Sequence, residues 1–174
     1  RKGPLVERPR VFKGLDTMAV VDQIIDAMRY WNPKAVFVDG GNMGAGVIDR
    51  LHQLGYTSVI EVPFGSSAVD RTRYENIRAE MYFKAKEWME AGGALPDDTA
   101  LRQELSSVEY KINKRSRIQL QAKDEIKKVT GCSPDLADGF VLTFAKPVAP
   151  DLFEDELFGV QKFMCKTEYN VLGG

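Results

Sequence analysis

In the first part of the chain, hydrophobic residues first recur at helical spacing and are then concentrated in two short segments. Residues 18–28 have apolar side chains at helical spacing, behind Asp16 or Thr17 as a candidate N-cap. Residues 35–38 are a continuous apolar run of the kind found in strands covered on both faces, and residues 58–62 look like a second buried strand. An amphipathic segment at residues 46–54 separates the two predicted strands. This strand, helix, strand order predicts a parallel α/β unit.

The second half of the chain predicts further helices and one inserted hairpin. Helices are predicted at residues 73–91 and 123–129. Two more are predicted, one from Asp97 or Asp98 to Leu105 and one from Pro134 to Phe144 with Ser133 as its N-cap. Residues 108–112 and 117–121 have the composition of short strands, and the polar residues 113–116 between them fit a hairpin link. The predicted class is therefore α/β, with an antiparallel hairpin added.

Composition narrows the class of protein without identifying a function. The 174 residues, 44% hydrophobic and 28% charged, fit one globular domain at residues 1–145 and a tail at residues 146–174 without clear periodicity. No apolar run approaches the roughly 20 residues that cross a bilayer, so we expect no membrane span. The two cysteines and one histidine do not form a zinc motif, and we expect a reducing, intracellular setting. The net charge of −1 gives no evidence for a nucleic-acid partner by itself.

Three aspartates are candidates for metal chemistry. Asp39 follows the apolar run at residues 35–38, and open α/β sheets place their sites at the carboxyl ends of strands. Asp135 and Asp138 are one helical turn apart near the start of the last predicted helix, and Asp138 has apolar neighbours. A divalent cation would offset the cost of burying such carboxylates. The alternatives are a turn cap at Asp39 and a first-turn acid at Asp135 that the helix dipole favours.

A glycine-rich stretch and a basic hairpin are candidates for contacts with a substrate near these acids. Residues 40–46 resemble a nucleotide-binding loop but lack its regular spacing, and no P-loop for ATP occurs in the sequence. We interpret the glycines as room for a substrate backbone close to Asp39. Basic residues that could contact phosphates are Lys111, Lys114, Arg115, Arg117 and Lys123. The alternative is that these residues protect an exposed edge strand.

The order of these motifs resembles the nuclease domain of phage DNA-packaging terminase large subunits. VFVDGGNMGAGVIDRL at residues 36–51 looks like the central nuclease signature of that family, and SPDLADGF at residues 133–140 looks like its closing SPD-x-x-D segment. RAEM at residues 78–81 and the Lys123-Asp124 pair occur between them in the family's order. The resemblance covers residues 35–145.

The resemblance implies an RNase H-like fold, a mixed sheet flanked by helices, that cuts double-stranded viral concatemers with two Mg²⁺ or Mn²⁺ ions. Asp39 would bridge the ions and Asp138 would ligate from the last helix. Asp135 would be an accessory ligand or orient a water, and Lys123 with the hairpin bases would hold phosphate. The implied partners are double-stranded DNA, the portal and the small terminase subunit, and the implied location is the host cytoplasm.

One feature of the family is not found in the sequence. Terminase nucleases carry a further aspartate on a first strand ahead of a segment like residues 5–12, and neither Glu7 nor Asp16 lies in that motif. We expect that strand to be encoded upstream or supplied by another piece, and this chain to be inactive alone without it. The alternatives are a non-catalytic DNA-binding or assembly module, another RNase H-like nuclease such as a junction resolvase, and a nucleotide-binding α/β enzyme.

Overall fold

The computed structural model describes residues 1–41 and 43–148. In these ranges the elements are α1 (Thr17–Trp31), β1 (Val36–Asp39), α2 (Gly44–Gln53), β2 (Val59–Val62), α3 (Ile77–Glu90), α4 (Thr99–Ser107), β3 (Tyr110–Ile112), β4 (Ile118–Leu120), α5 (Lys123–Thr130), α6 (Asp135–Val141) and a 3₁₀ turn (Leu142–Phe144). Asn42 of the glycine-rich stretch, and residues 149–174 of the predicted tail with Cys165, lie outside the described residues. The division into a domain at residues 1–145 and a tail stays a prediction.

The parallel strands β1 and β2 form the centre of an α/β arrangement. They pair in register from Val36 opposite Val59 to Asp39 opposite Val62. Alternate residues of β1 point to opposite faces, so Val36 and Val38 pack against α1 and α2 while Phe37 packs toward α3, α4 and α6. The apolar run predicted a strand covered on both faces, and the structure confirms this prediction.

Two main apolar clusters flank the parallel pair. On one side, α1 and α2 contribute the buried Val21 and Leu51. On the other side, α3, α4 and α6 contribute the buried Met81, Leu101 and Val141. Helix α6 is therefore packed by its apolar residues into the larger cluster, which fixes the position of the polar residues that it also carries.

The antiparallel hairpin of β3 and β4 forms a second, separate sheet. Tyr110 lies opposite Leu120 in its register, as expected for the predicted hairpin. The hairpin packs on α3 through Ile118 and Leu120, which contact a small cluster around Tyr74 and Ala79. The parallel and antiparallel strands that the sequence predicted thus lie in two small sheets.

Helix α3 begins later than the sequence predicted. A helix was predicted from residue 73, but α3 starts at Ile77, because the preceding residues bond to the hairpin. Ile118 donates its backbone N–H to the Arg73 carbonyl, and Glu75 donates its own to the Ile118 carbonyl. The Asn76 side chain then accepts from the Ala79 backbone N–H and caps the helix.

Side-chain caps fix the starts of α1 and α4. Asp16 caps α1 and Asp98 caps α4, in agreement with the sequence prediction. Ser133 does not cap the last helix, so that prediction was wrong; α6 begins at Asp135 and Ser133 donates its hydroxyl to the Asp135 side chain. Among the helices of the described residues, none has the length and apolar character needed to cross a membrane.

Candidate metal centre

Asp39 stands at the carboxyl end of β1, where the chain turns into α2. Its Oδ1 accepts a hydrogen bond from the Gly41 backbone N–H at 3.2 Å, and its side chain is 35% exposed. The turn is tight enough that a Cβ on Gly44 would collide with the Asp39 backbone carbonyl. Glycine at position 44 therefore lets α2 begin directly against Asp39, which fixes the position of this carboxylate.

Asp138 lies in the first turn of α6 and is buried, with a side chain only 6% exposed. Its helix starts in a defined place because Glu104 of α4 accepts the backbone N–H groups of Leu136 and Ala137, at 2.7 and 3.0 Å. These groups have no partner inside the helix, so the Glu104 carboxylate satisfies donors that α6 leaves open. Burial, the largest effect, raises the pKa of Glu104 above its ordinary value.

The structure brings Asp39 and Asp138 together around one cation, the Lys123 ammonium group. Lys123 Nζ is 2.7 Å from Asp138 Oδ2 and 3.7 Å from Asp39 Oδ2. The same ammonium lies over the Phe64 ring, 4.6 Å from its centroid. The two carboxylate oxygens consequently face one another across a single positive charge.

The donors around this position suit a hard divalent cation. Asp138 Oδ2 is buried and pairs with the Lys123 ammonium at 2.7 Å. Carboxylate oxygens are the ligands that Mg²⁺ and Mn²⁺ prefer. Asp39 and Asp138 therefore fit the implied metal, at the place where Lys123 now supplies the positive charge.

Two residues of α3 that were not predicted as site residues, Arg78 and Tyr82, complete the surroundings of Asp138. Arg78 Nε donates to Asp138 Oδ1 at 3.0 Å, and the Tyr82 hydroxyl donates to the same oxygen at 2.8 Å. Burial, and then the negative charge of Asp138, raise the pKa of the Tyr82 phenol far above its ordinary value, so the hydroxyl stays protonated and donates. One signal in the sequence could have pointed to these two residues. Arg78 and Tyr82 are four residues apart on the predicted helix, which places them on the same face.

Asp135 is not gathered with the other two aspartates. Its side chain accepts from the Ser133 hydroxyl at 2.7 Å and the residue is exposed. Within residues 1–41 and 43–148, no three or more His, Cys, Asp or Glu side chains cluster as a metal site. A role for Asp135 as an accessory ligand stays a prediction.

The basic hairpin ends beside the candidate metal centre. Arg78 donates from Nη1 to the Gln121 carbonyl just after β4, and Lys123 follows two residues later. Along the hairpin, Lys111 and Lys114 are exposed, whereas Arg115 and Arg117 lie 3.9 and 3.8 Å from the Glu75 carboxylate. The predicted phosphate-binding residues thus differ in how much of their charge is already paired.

Comparison with known proteins identifies the fold. No protein-family model matches the sequence, and no curated protein matches it. A mutant nuclease domain of the large terminase subunit of bacterial virus Sf6, with manganese, aligns over 84% of this chain and 81% of its own, with a TM-score of 0.70 and 19% identity.

Another structure of the Sf6 nuclease domain gives a TM-score of 0.69 and 20% identity, over 86% of this chain and 80% of its own. The mutant domain with manganese and beta-thujaplicinol gives 0.67 and 18%, over 84% and 80%. The chain therefore has the α/β fold of the Sf6 terminase nuclease domain, and the predicted α/β class is confirmed.

Proposed function

We propose that this chain, which has the fold of a terminase nuclease domain, is the nuclease domain of a viral DNA-packaging terminase large subunit. In this proposal it hydrolyses phosphodiester bonds of double-stranded DNA with Mg²⁺ or Mn²⁺. The observation that carries the proposal is the convergence of Asp39 and Asp138 on one positive charge. These residues come from a strand end and from the last helix, 99 positions apart, and nothing in local structure requires them to meet.

The candidate centre gives each residue a definite part in the proposed reaction. Asp39 and Asp138 would hold the cations through their carboxylates. When bound, two divalent ions would supply the Lewis acidity that activates water and stabilises the leaving oxygen of an in-line displacement. Lys123, displaced from the carboxylates, would contact a phosphate of the substrate. The resemblance also implies a further aspartate on a first strand, which would share the cations with these two.

The substrate surface in this proposal is the hairpin that leads to the centre. Lys111 and Lys114 are exposed on it and lie on the chain just before β4 and Lys123. Exposed basic side chains attract the phosphate backbone without reading sequence. We therefore expect cutting with little sequence preference. The portal and the small terminase subunit are the protein partners that the resemblance implies.

The test is cleavage of supercoiled plasmid DNA with Mn²⁺, by the chain alone and by the chain extended upstream with a first strand. The expected result is nicked and linear DNA with the extended chain, and in that chain a loss of at least about a hundredfold in rate for Asp39→Asn or Asp138→Asn, since each removes a ligand. The matched control is Asp49→Asn, an exposed aspartate on α2 that should leave the rate unchanged. Undiminished cutting by either site variant would refute the assignment.

One observation favours a second candidate function, a non-catalytic DNA-binding or assembly module. Lys123 and Arg78 together already supply two positive charges to the two carboxylates, so the fold does not need a metal to tolerate them. A module of this kind would bind DNA with strong salt dependence, in wild type and in both aspartate variants alike. It would cut no DNA with any divalent cation, with or without the upstream strand.

A further inference from the structure

The Asp138 carboxylate uses its two oxygens for different purposes. Oδ1 accepts from both Arg78 Nε and the Tyr82 hydroxyl, which occupies the hydrogen-bonding capacity of this oxygen. Oδ2 is buried and faces the Lys123 ammonium at 2.7 Å, while Arg78 and Tyr82 donate to the other oxygen. The carboxylate is thus held by one oxygen and presents the other.

The two donors also hold each other in place. Arg78 and Tyr82 are four residues apart on α3, and the guanidinium carbon lies 5.2 Å from the centre of the Tyr82 ring. Arg78 Nη1 donates in addition to the Gln121 carbonyl at 3.2 Å. The guanidinium is therefore fixed by three contacts from three parts of the chain. A rotation of the Asp138 carboxylate would break two hydrogen bonds at once.

Stability alone does not explain this arrangement. Arg78 is 6% exposed and its Nη2 has no hydrogen-bond partner among the described residues. A buried ion pair recovers little more than its own desolvation cost, and an unpaired buried donor adds to that cost. An apolar pair of similar size would pack α3 against α6 as well. The geometry instead fixes which Asp138 oxygen faces Lys123.

We infer that Arg78 and Tyr82 are positioning residues that orient the Asp138 carboxylate so that only Oδ2 is offered to the cation. This inference rests on the proposed function, and it adds two residues to the centre. Neither residue would touch the cation. Both would determine that Asp138 binds it through a single oxygen, and with which orientation.

The decisive variant is Tyr82→Phe, which removes one donor and keeps the ring on Arg78. Mn²⁺ affinity is measured by paramagnetic resonance of the free ion, and unfolding by urea is measured on the same samples. The expected result is Mn²⁺ binding that is weaker by about tenfold, in a protein that remains folded. A purely structural role would change the urea midpoint and leave Mn²⁺ affinity of the folded protein unchanged.

Three further variants complete the experiment. Tyr74→Phe removes a hydroxyl from a buried tyrosine in a different cluster and should leave Mn²⁺ affinity unchanged. Arg78→Lys keeps a charged donor and should retain more affinity than Arg78→Gln; both are compared only if urea unfolding shows a folded state. Wild-type affinity in Tyr82→Phe would overturn the positioning role alone. If the wild-type chain shows no Mn²⁺ binding that requires Asp39, the proposed function is overturned, and this inference with it.

Discussion

Lys123 occupies a position that helix stability does not favour. It is the first residue of α5, where the partial positive charge of the helix N-terminus disfavours another cation. Two acidic residues, Asp124 and Glu125, follow it in the same turn. The carboxylates of Asp39 and Asp138 account for the lysine, because its ammonium attracts both of two acids that would otherwise repel each other.

This arrangement makes Lys123 a competitor for the proposed metal. In Lys123→Gln the cation no longer has to displace an ammonium group, and we expect Mn²⁺ affinity to rise about fivefold, the equivalent of about 1 kcal/mol for a partly exposed ion pair. Titration with Mn²⁺ at constant ionic strength measures this change. Lys127→Gln, an exposed lysine on the same helix, is the control and should have wild-type affinity. Weaker Mn²⁺ binding in Lys123→Gln would contradict the competition.

At the scale of single residues, the sequence analysis selected Asp39, Asp138 and Lys123 as candidates and missed Arg78 and Tyr82, the two hydrogen-bond donors to Asp138. Asp39 and Asp138 were predictable because a strand end and the start of a packed helix are local features of the sequence. Arg78 and Tyr82 were not, because a helical arginine gives no local sign that its partner lies 60 residues away. Long-range ion pairs depend on how helices pack, which a single sequence does not specify.

At the scale of elements, the start of α6 illustrates how tertiary contacts replace local caps. The sequence offered Ser133 as a local N-cap, and the structure uses Glu104 of α4 instead. A carboxylate from a neighbouring helix satisfies the same backbone donors and also fixes α6 against α4. Because Asp138 is in that first turn, the position of the candidate centre depends on a residue outside it.

Glu104→Ala should therefore destabilise the protein. The variant leaves two backbone donors of α6 without their acceptor, and caps of this kind contribute about 1 to 2 kcal/mol. Urea denaturation should show this decrease in the free energy of unfolding. Gln103→Ala, the exposed neighbour on α4, should change it by less than about 0.5 kcal/mol. Equal stabilities of the two variants would show that α6 does not need this cap.

The same residue gives a pH dependence with a defined sign. Burial raises the pKa of Glu104, so its favourable contribution is complete below the ordinary value of about 4.3 and falls as pH rises through the raised value. Glu104→Gln keeps an oxygen acceptor and does not titrate. The stability of the wild type relative to Glu104→Gln should therefore decrease as pH rises above about 4.3.

Element boundaries followed from the sequence where the signal was local. The caps at Asp16 and Asp98 and the buried runs of β1 and β2 were predicted close to their observed positions. The start of α3 was not, because residues 73–75 have helical spacing but bond to β4. Pairing with a strand more than 40 residues later is decided by the fold and not by propensity.

At the scale of the whole molecule, the net charge of −1 conceals an uneven distribution. Exposed lysines Lys111 and Lys114 lie on the hairpin, and the chain then leads directly to Lys123 at the candidate centre. Arg115 and Arg117 lie on the same hairpin but close to Glu75, which offsets part of their charge. The proposed phosphate contacts would therefore depend on specific basic residues and not on an overall positive charge.

Salt dependence of DNA binding should separate the two kinds of basic residue. Each phosphate contact contributes about 0.9 to the slope of log affinity against log salt for duplex DNA, so Lys111→Ala with Lys114→Ala should reduce that slope by about 1.8. Arg115→Ala with Arg117→Ala should reduce it less, because Glu75 already pairs with both guanidinium groups.

Fluorescence anisotropy with duplex DNA in the presence of a chelator measures the slopes without cleavage. Arg29→Ala serves as the control, since α1 packs on the opposite side of the parallel strands from α3, α4 and α6. The expected order of slopes requires that DNA follow the hairpin toward Asp39 and Asp138. If the lysine pair left the slope unchanged, DNA would have to approach the carboxylates over another surface, and the hairpin would only be a protected edge.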